Sequence, residues 1–295
     1  METRDALAVR FEEQRLQLRG MAYRMLGSLS DAEDAVQEVW LRLDRQRDVE
    51  IRNLAGWLAT VTGRVCLDQL RARAARGEHS LWDHLPDPVV TDWDEVDPEH
   101  EALVADSVGL ALMVVLDTLS PAERVAFVLH DVFGVPFEGI AGILARTEST
   151  TRKLASRARA KVQDHAAVPD TDLTTQRAVV EAFLAAARDG DLPRLAAVLA
   201  PDVVARADWG PAAGARRVVQ GSAAVASEAV RFARLASDAQ IAVVNGTAGI
   251  VVGPPARPMT VLALTVRDGI VVEIDIFADQ NRLSRLLSDP KHPND

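Results

Sequence analysis

Apolar residues recur at helical spacing through the first half of the chain and give way to alternating, β-branched runs near its end. Leu7, Phe11, Leu18, Tyr23, Met25 and Leu26 predict a first helix, broken at Gly27-Ser28-Leu29-Ser30. Ser30 followed by Glu33 has the pattern of a capping box and predicts that a second helix starts there. Val36, Val39, Trp40 and Leu43 form its apolar stripe, while Asp31, Asp34 and Glu38, with Gln37 nearby, occupy another side. Arg45 to Asn53 reads as a polar loop, and Leu54 to Ala75 as a third helix. Residues 5–76 thus form one all-α domain. Gly77, Pro86, Pro88 and Pro98 interrupt helices over residues 77–101, which read as an acidic linker. Trp82 and Trp93 are costly to expose, so this linker is expected to dock on something.

Helical spacing returns over residues 102–165. Ser120-Pro121 supplies an N-cap and a first helical residue. From Phe137 to Val162 two short helices meet at a tight turn, with Thr147 placed as the N-cap of the second. Residues 172–288 change character. Leu173 to Arg188, Leu192 to Leu199 and Ser222 to Ala236 read as helices, and Val203 to Ala207 as a strand. Four β-type runs follow, the last two joined by Asp268-Gly269, a strong hairpin signal. Helices followed by a curved antiparallel sheet make an α+β domain. The fold class is therefore multidomain: two helical domains, then one α+β domain.

The net charge of −10 argues against a protein that coats nucleic acid indiscriminately, yet the cations cluster. Arg64, Arg71, Arg73 and Arg76 face only Asp68, and residues 77–123 hold no Lys or Arg. The second short helix carries Arg152, Lys153, Arg157, Arg159 and Lys161 with no acid between Arg152 and Asp164. A helix-turn-helix places such a helix in the major groove, where Arg and Lys reach phosphates and guanine edges; a solvated basic helix in a bundle is the plainer alternative. Cys66 is the only cysteine, which leaves no disulfide within the chain and no Cys-rich metal site. Its apolar neighbours predict an inert buried thiol. No apolar run approaches a membrane span, so a soluble cytoplasmic protein is expected.

The order of these parts resembles a known family. DAEDAVQEVWLRL is similar to region 2.2 of extracytoplasmic-function (ECF) sigma factors, and AGWLATVTGRVCLDQLRAR to their regions 2.3 and 2.4. LSPAERVAFVLHDVFGVPFEGIAGIL with the basic helix resembles region 4. Residues 172–288 resemble the SnoaL-like extension of one ECF subgroup, a cone-shaped α+β fold shared with nuclear transport factor 2 and ketosteroid isomerase. The resemblance implies that Asp31, Asp34, Gln37 and Glu38 bind core RNA polymerase. It implies that Asn53, Trp57, Arg64 and Arg71 hold the melted −10 strand of promoter DNA; for Trp57, core packing is the stronger expectation. Arg152, Lys153, Ser156 and Arg157 would read the −35 element, with Lys161 on a phosphate. Arg146, Thr151 and Leu154 depart from the family pattern, so its sequence preference does not carry over.

The subgroup's WLPEP-like linker motif survives as His84-Leu85-Pro86-Asp87-Pro88 without its Trp. Its glycine-rich motif is loosely matched by Asp208-Trp209-Gly210, and its NPDKL-like motif by Asp279-Gln280-Asn281-Arg282-Leu283. Leu85, Pro86, Asp87, Pro88, Asp208 and Trp209 are therefore the candidate regulatory residues. Related folds include enzymes with an Asp base. Asp208 and Asp275 are the candidate acids, with Asp275 facing either a cavity or solvent. Residues 166–291 contain no His or Tyr to complete an acid–base pair, so no catalytic residue, cofactor or metal is expected. The C-terminal domain is open to a small-molecule or protein ligand. Two other functions compete: a ligand-sensing helix-turn-helix regulator, and a cyclase- or isomerase-like enzyme fused to a DNA-binding module.

Overall fold

The computed structural model describes residues 4–46, 51–76, 85–95, 110–165, 170, 172–210, 217–233, 238–253 and 259–287. They fall into two compact units. The first contains the three N-terminal helices and the chain from Val115 to His165. The second contains the 85–95 segment, residues 110–114 and the chain from Asp170 onward.

In the first unit, α1 (Arg4–Leu26), α2 (Leu29–Asp44) and α3 (Leu54–Ala75) pack on one another. Phe11, Leu18, Met21 and Met25 of α1 and the stripe Ala35, Val36, Val39 and Leu43 of α2 are buried where these helices pack. The cap of α2 is Ser28, not Ser30. The Ser28 hydroxyl accepts the Asp31 N–H at 3.3 Å, so the helix begins one residue after it. Glu33, expected to close a capping box, instead reaches across to Arg19 of α1 at 3.1 Å. α3 begins at Leu54 under an Asn53 cap, and Cys66 lies fully buried within it. Burial pushes the Cys66 thiol up to about 12, against the pull of Arg124 and Arg73, so it stays protonated and unreactive at neutral pH.

After α4 (Leu110–Asp117), α5 (Pro121–Phe127) starts with a complete capping box between Ser120 and Glu123. One π turn, Val128–Val132, carries it toward α6 (Phe137–Leu144). Ala145 then takes the left-handed conformation (φ 52°) that ends α6 and launches α7 (Glu148–His165). α5 and α6 both pack on α3. Gly63 makes this approach possible, because a Cβ there would lie 3.0 Å from Leu129 Cδ1 and 3.2 Å from Ile143 Cδ1. Nearby, the buried Arg124 pairs with Asp117, and its Nε donates to the Arg24 carbonyl at 3.2 Å.

The second unit contains a seven-stranded sheet among the described residues. Its order is β1 (Val90–Asp92), β4 (Ala239–Val244), β5 (Thr247–Val252), β6 (Thr260–Arg267), β7 (Ile270–Phe277), β2 (Leu199–Asp208) and β3 (Arg217–Gln220). All neighbours are antiparallel except β2 and β7. The helices α8 (Leu173–Asp189), α9 (Leu192–Val198) and α10 (Ser222–Ala233) come before the long hairpins, and α11 (Gln280–Leu287) follows them. Val180, Phe183, Leu195, Ala205, Leu264 and Ile274 are among the residues that form the core between helices and sheet.

Register fixes what the other sheet face carries. Ala205 pairs with Ile274, and Arg206 with Asp275. Because side chains alternate, Arg206, Asp208, Glu273 and Asp275 point away from the core cluster. Asp275 therefore faces neither an open cavity nor solvent. It is 1% exposed, and Arg206 donates to it at 3.3 Å and to Glu273 at 3.0 Å.

Two strands have no counterpart in the sequence pattern. β3 is only four residues long and lacks a flanking alternation. β1 lies within the segment read as linker, just after the Pro86–Pro88 pair, and pairs with β4 from Val90↔Val244 to Asp92↔Ala242.

Candidate nucleic-acid interface

Thr147 caps α7 as expected, its hydroxyl accepting the Thr150 N–H at 3.2 Å. Thr151, Ala155 and Ala158 are the buried side of the helix. Arg152, Lys153, Ser156 and Arg157 lie on its other sides, away from that buried seam. An open surface is lined by Glu148, Ser149, Arg152, Lys153 and Ser156. Arg152 is not loose on it. Its Nε and Nη2 donate to Glu148 Oε1 at 3.2 and 2.5 Å, and its guanidinium carbon stands 5.3 Å from the Phe137 ring centroid. Phe137 in turn stacks on His130 at 3.7 Å.

Lys161 lies apart from this surface and donates to Glu123 Oε2 at 3.0 Å. Burial works against the Glu123 charge, but the Ser120 N–H, Lys161 and the Ser120 hydroxyl outweigh it and hold its carboxyl below the usual range. A depressed carboxyl contributes stability that is full above the ordinary Glu pKa and is lost as pH falls through the folded value. Lys161→Ala is expected to weaken this support. Its acid unfolding midpoint should therefore rise above that of wild type in a circular-dichroism titration, and an unchanged midpoint would show that the Ser120 cap suffices.

On α3, Trp57, Arg64 and Arg71 recur every seven residues and so share one side of the helix. Both arginines are exposed, and Trp57 is half-buried. Asn53 already serves the fold, since its side-chain oxygen accepts the Gly56 N–H at 3.0 Å as the helix cap.

On α2, Asp34 and Gln37 are exposed, and Glu38 is half-buried and bonded to Arg42 at 2.5 Å. Asp31 differs from these three. It pairs with Arg73 of α3, whose other guanidinium nitrogen donates to the Leu26 carbonyl at 2.9 Å. It therefore ties helices together. Leu41, absent from the sequence-derived candidates, is 47% exposed and lies one helical turn beyond Gln37 on that side.

The linker residues form a second constellation, inside the second unit. Leu85 to Pro88 are buried. Arg282 of α11 donates from Nε to Asp87 Oδ1 at 2.6 Å, from Nη1 to Asp208 Oδ2 at 3.2 Å and from Nη2 to the Leu85 carbonyl at 2.5 Å. Asp208 Oδ2 also accepts the Leu85 N–H at 2.9 Å, and its Oδ1 the Gly210 N–H at 3.0 Å. Gly210 is required here, because a Cβ would sit 2.5 Å from Asp279 Oδ2. The cleft left beside Pro88 and Phe277 holds only about 10 Å³, too small for a ligand.

Further along, Asn245 and Val89 exchange two bonds at 2.8 and 3.1 Å. Trp93 lies under Arg177 at 4.8 Å, which gives the expected docking partner. Trp82 and His84 lie outside the described residues. Trp209 stands 37% exposed, with its ring 5.8 Å from that of Phe232.

The chain matches the sigma-70 region 2 family over residues 11–76 and the sigma-70 region 4 family over residues 109–162. It is 40% identical over 292 residues to the ECF RNA polymerase sigma factor SigJ of Mycobacterium tuberculosis, covering 93% of this chain and 92% of that one. The chain belongs to the ECF RNA polymerase sigma factors. The probable ECF sigma factor SigI of the same species is 38% identical over 212 residues, 70% of this sigma factor and 72% of SigI. The crystal structure of SigJ superposes with a TM-score of 0.73 at 37% identity, covering 93% of this chain and 97% of SigJ. α1–α3 thus fall in region 2 of this sigma factor and α4–α7 in its region 4, and the SigJ superposition extends over the α+β unit that follows. No helix among the described residues is long and apolar enough to cross a membrane.

Proposed function

We propose that this sigma factor binds core polymerase through Asp34, Gln37 and Glu38, tracks the −10 strand along Trp57, Arg64 and Arg71, and reads the −35 element with Arg152, Lys153, Ser156 and Arg157. Its extension regulates initiation through the linker. The observation that carries the regulatory part is the Arg282 bridge from α11 to both Asp87 and the Leu85 carbonyl. The bridged segment lies between regions 2 and 4 in sequence, so whatever holds it restricts how the two can be placed on a promoter. Cutting the chain after Val168 should change promoter-dependent run-off transcription, with gain expected. A cut chain that equals the full protein in yield and in polymerase affinity would remove the extension from regulation.

The extension is regulatory and not catalytic in this reading. Both candidate acids are already engaged, Asp275 with Arg206 and Asp208 with Leu85, Gly210 and Arg282. A base that must accept a proton from substrate needs an open approach, and these carboxylates are 1% and 3% exposed. Turnover of an apolar small molecule by the purified protein would restore the enzyme reading.

The polymerase surface has its own test. Asp34→Arg with Glu38→Arg should reduce core polymerase binding at least tenfold by surface plasmon resonance. The helical circular-dichroism signal should hold, since Asp34 is exposed and Glu38 loses only an i,i+4 surface pair with Arg42, worth about 0.3–0.5 kcal/mol. Unchanged affinity would move the polymerase contact elsewhere.

A further inference from the structure

We infer that Glu148 is a specificity-determining residue of region 4. In this inference its carboxylate accepts a hydrogen bond from the exocyclic amino group of a cytosine or adenine in the −35 element, while it holds Arg152 toward the neighbouring base. The inference rests on the reading of α7 as the −35 reader.

Three observations lead to it. Glu148 is the first residue of α7, and in a helix-turn-helix the N-terminal residues of the recognition helix meet base edges. Its side chain is 47% exposed and lines the same open surface as Ser149, Arg152, Lys153 and Ser156. It also fixes Arg152 from one side while Phe137, backed by His130, faces the guanidinium at 5.3 Å. Arg152 is therefore preorganised, as a bidentate contact to guanine O6 and N7 demands.

The chemistry requires a specific partner for the acid. A carboxylate among phosphates is repelled, so Glu148 weakens binding to every sequence unless a base donates to it. In the major groove only cytosine N4 and adenine N6 donate. Glu148 thus rejects guanine and thymine at its position and favours a base with an amino group. Pairing with Arg152 lowers the cost of bringing either charge into the groove, since each enters partly neutralised.

The holoenzyme, made from the full chain and core polymerase, is used to transcribe from a promoter library randomised over the −35 element. Wild type, Glu148→Ala, Glu148→Gln and Arg152→Ala are compared. Wild type should prefer cytosine or adenine at one position adjacent to the position whose preference Arg152→Ala removes. Glu148→Ala should flatten that preference by roughly 5- to 150-fold while raising yield on the disfavoured bases. Glu148→Gln should shift the preference toward adenine, whose N6 and N7 a glutamine amide matches.

A role limited to helix capping or to propping Arg152 predicts otherwise. Both Glu148 variants would then either weaken all sequences alike or only copy Arg152→Ala, with no shift toward adenine. Either result overturns the inference. If Arg152→Ala changes preference and the Glu148 variants do not, the helix reads DNA without Glu148. If none of the three changes it, the reading of α7 as the −35 reader falls as well.

Discussion

Arg282→Ala should detach the linker from the extension and destabilise the second unit by about 3–5 kcal/mol, the usual consequence of removing one partner from a buried ion pair. The guanidinium side chain is 18% exposed, and the carboxylates it bridges, Asp87 and Asp208, are 5% and 4% exposed. Without it, two acids stay close together in a poorly solvated site, and the Leu85 carbonyl loses a donor. Amide hydrogen exchange should speed up at Leu85 and Val89, and run-off transcription should move in the same direction as it does after cutting at Val168. Arg282→Lys keeps the charge but not the planar fork, and should fall between the two. Wild-type stability and exchange in Arg282→Ala would mean that the β1–β4 pairing and Trp93 hold the segment unaided.

Arg206→Met should cost a similar amount, about 3–5 kcal/mol, for a related reason. Arg206 is 17% exposed and lies between Glu273 and Asp275, which are 14% and 2% exposed. Burial acts against its charge, but Asp275 and Glu273 outweigh that and hold it protonated more firmly than a free arginine. A raised folded pKa gives stability that is present at all pH values below the ordinary arginine range and lost only in strong alkali. In the methionine variant, two carboxylates remain without their cation. Acidification relieves their repulsion, so the stability gap to wild type should narrow as pH falls from neutrality in parallel urea titrations. A gap that is absent, or constant with pH, would show that the acids are satisfied by other groups.

The importance of Arg282 and Arg206 is only partly legible in the sequence. Helix boundaries set by strong local signals were readable: Leu54–Ala75 follows from its apolar spacing, and Asp268-Gly269 from the positive φ values its hairpin needs, 54° and 74°. The α2 cap differs from the expected one because two serines lie within three residues, and it is the Ser28 hydroxyl that accepts the Asp31 N–H. The strand in the linker was invisible because three residues carry no periodicity, and its hydrogen bonds come from a strand about 150 residues away. Asp87 could be placed on a motif by resemblance, whereas Arg282 stood in a motif reduced almost beyond recognition. Its role depends on three partners that are distant in sequence. Glu148 and Leu41 escaped because an acid in a basic helix and a leucine on a polar face look like ordinary surface until exposure is known.

As a sigma factor, this chain directs core polymerase to promoters. The most direct measurement is run-off transcription with purified bacterial core polymerase on a promoter library, with and without the full-length protein. Transcripts should start at a defined subset of templates only when the protein is present, and should be lost with Asp34→Arg/Glu38→Arg. Tight binding of the protein to duplex DNA without polymerase, together with no polymerase-dependent transcript from any template, would contradict it.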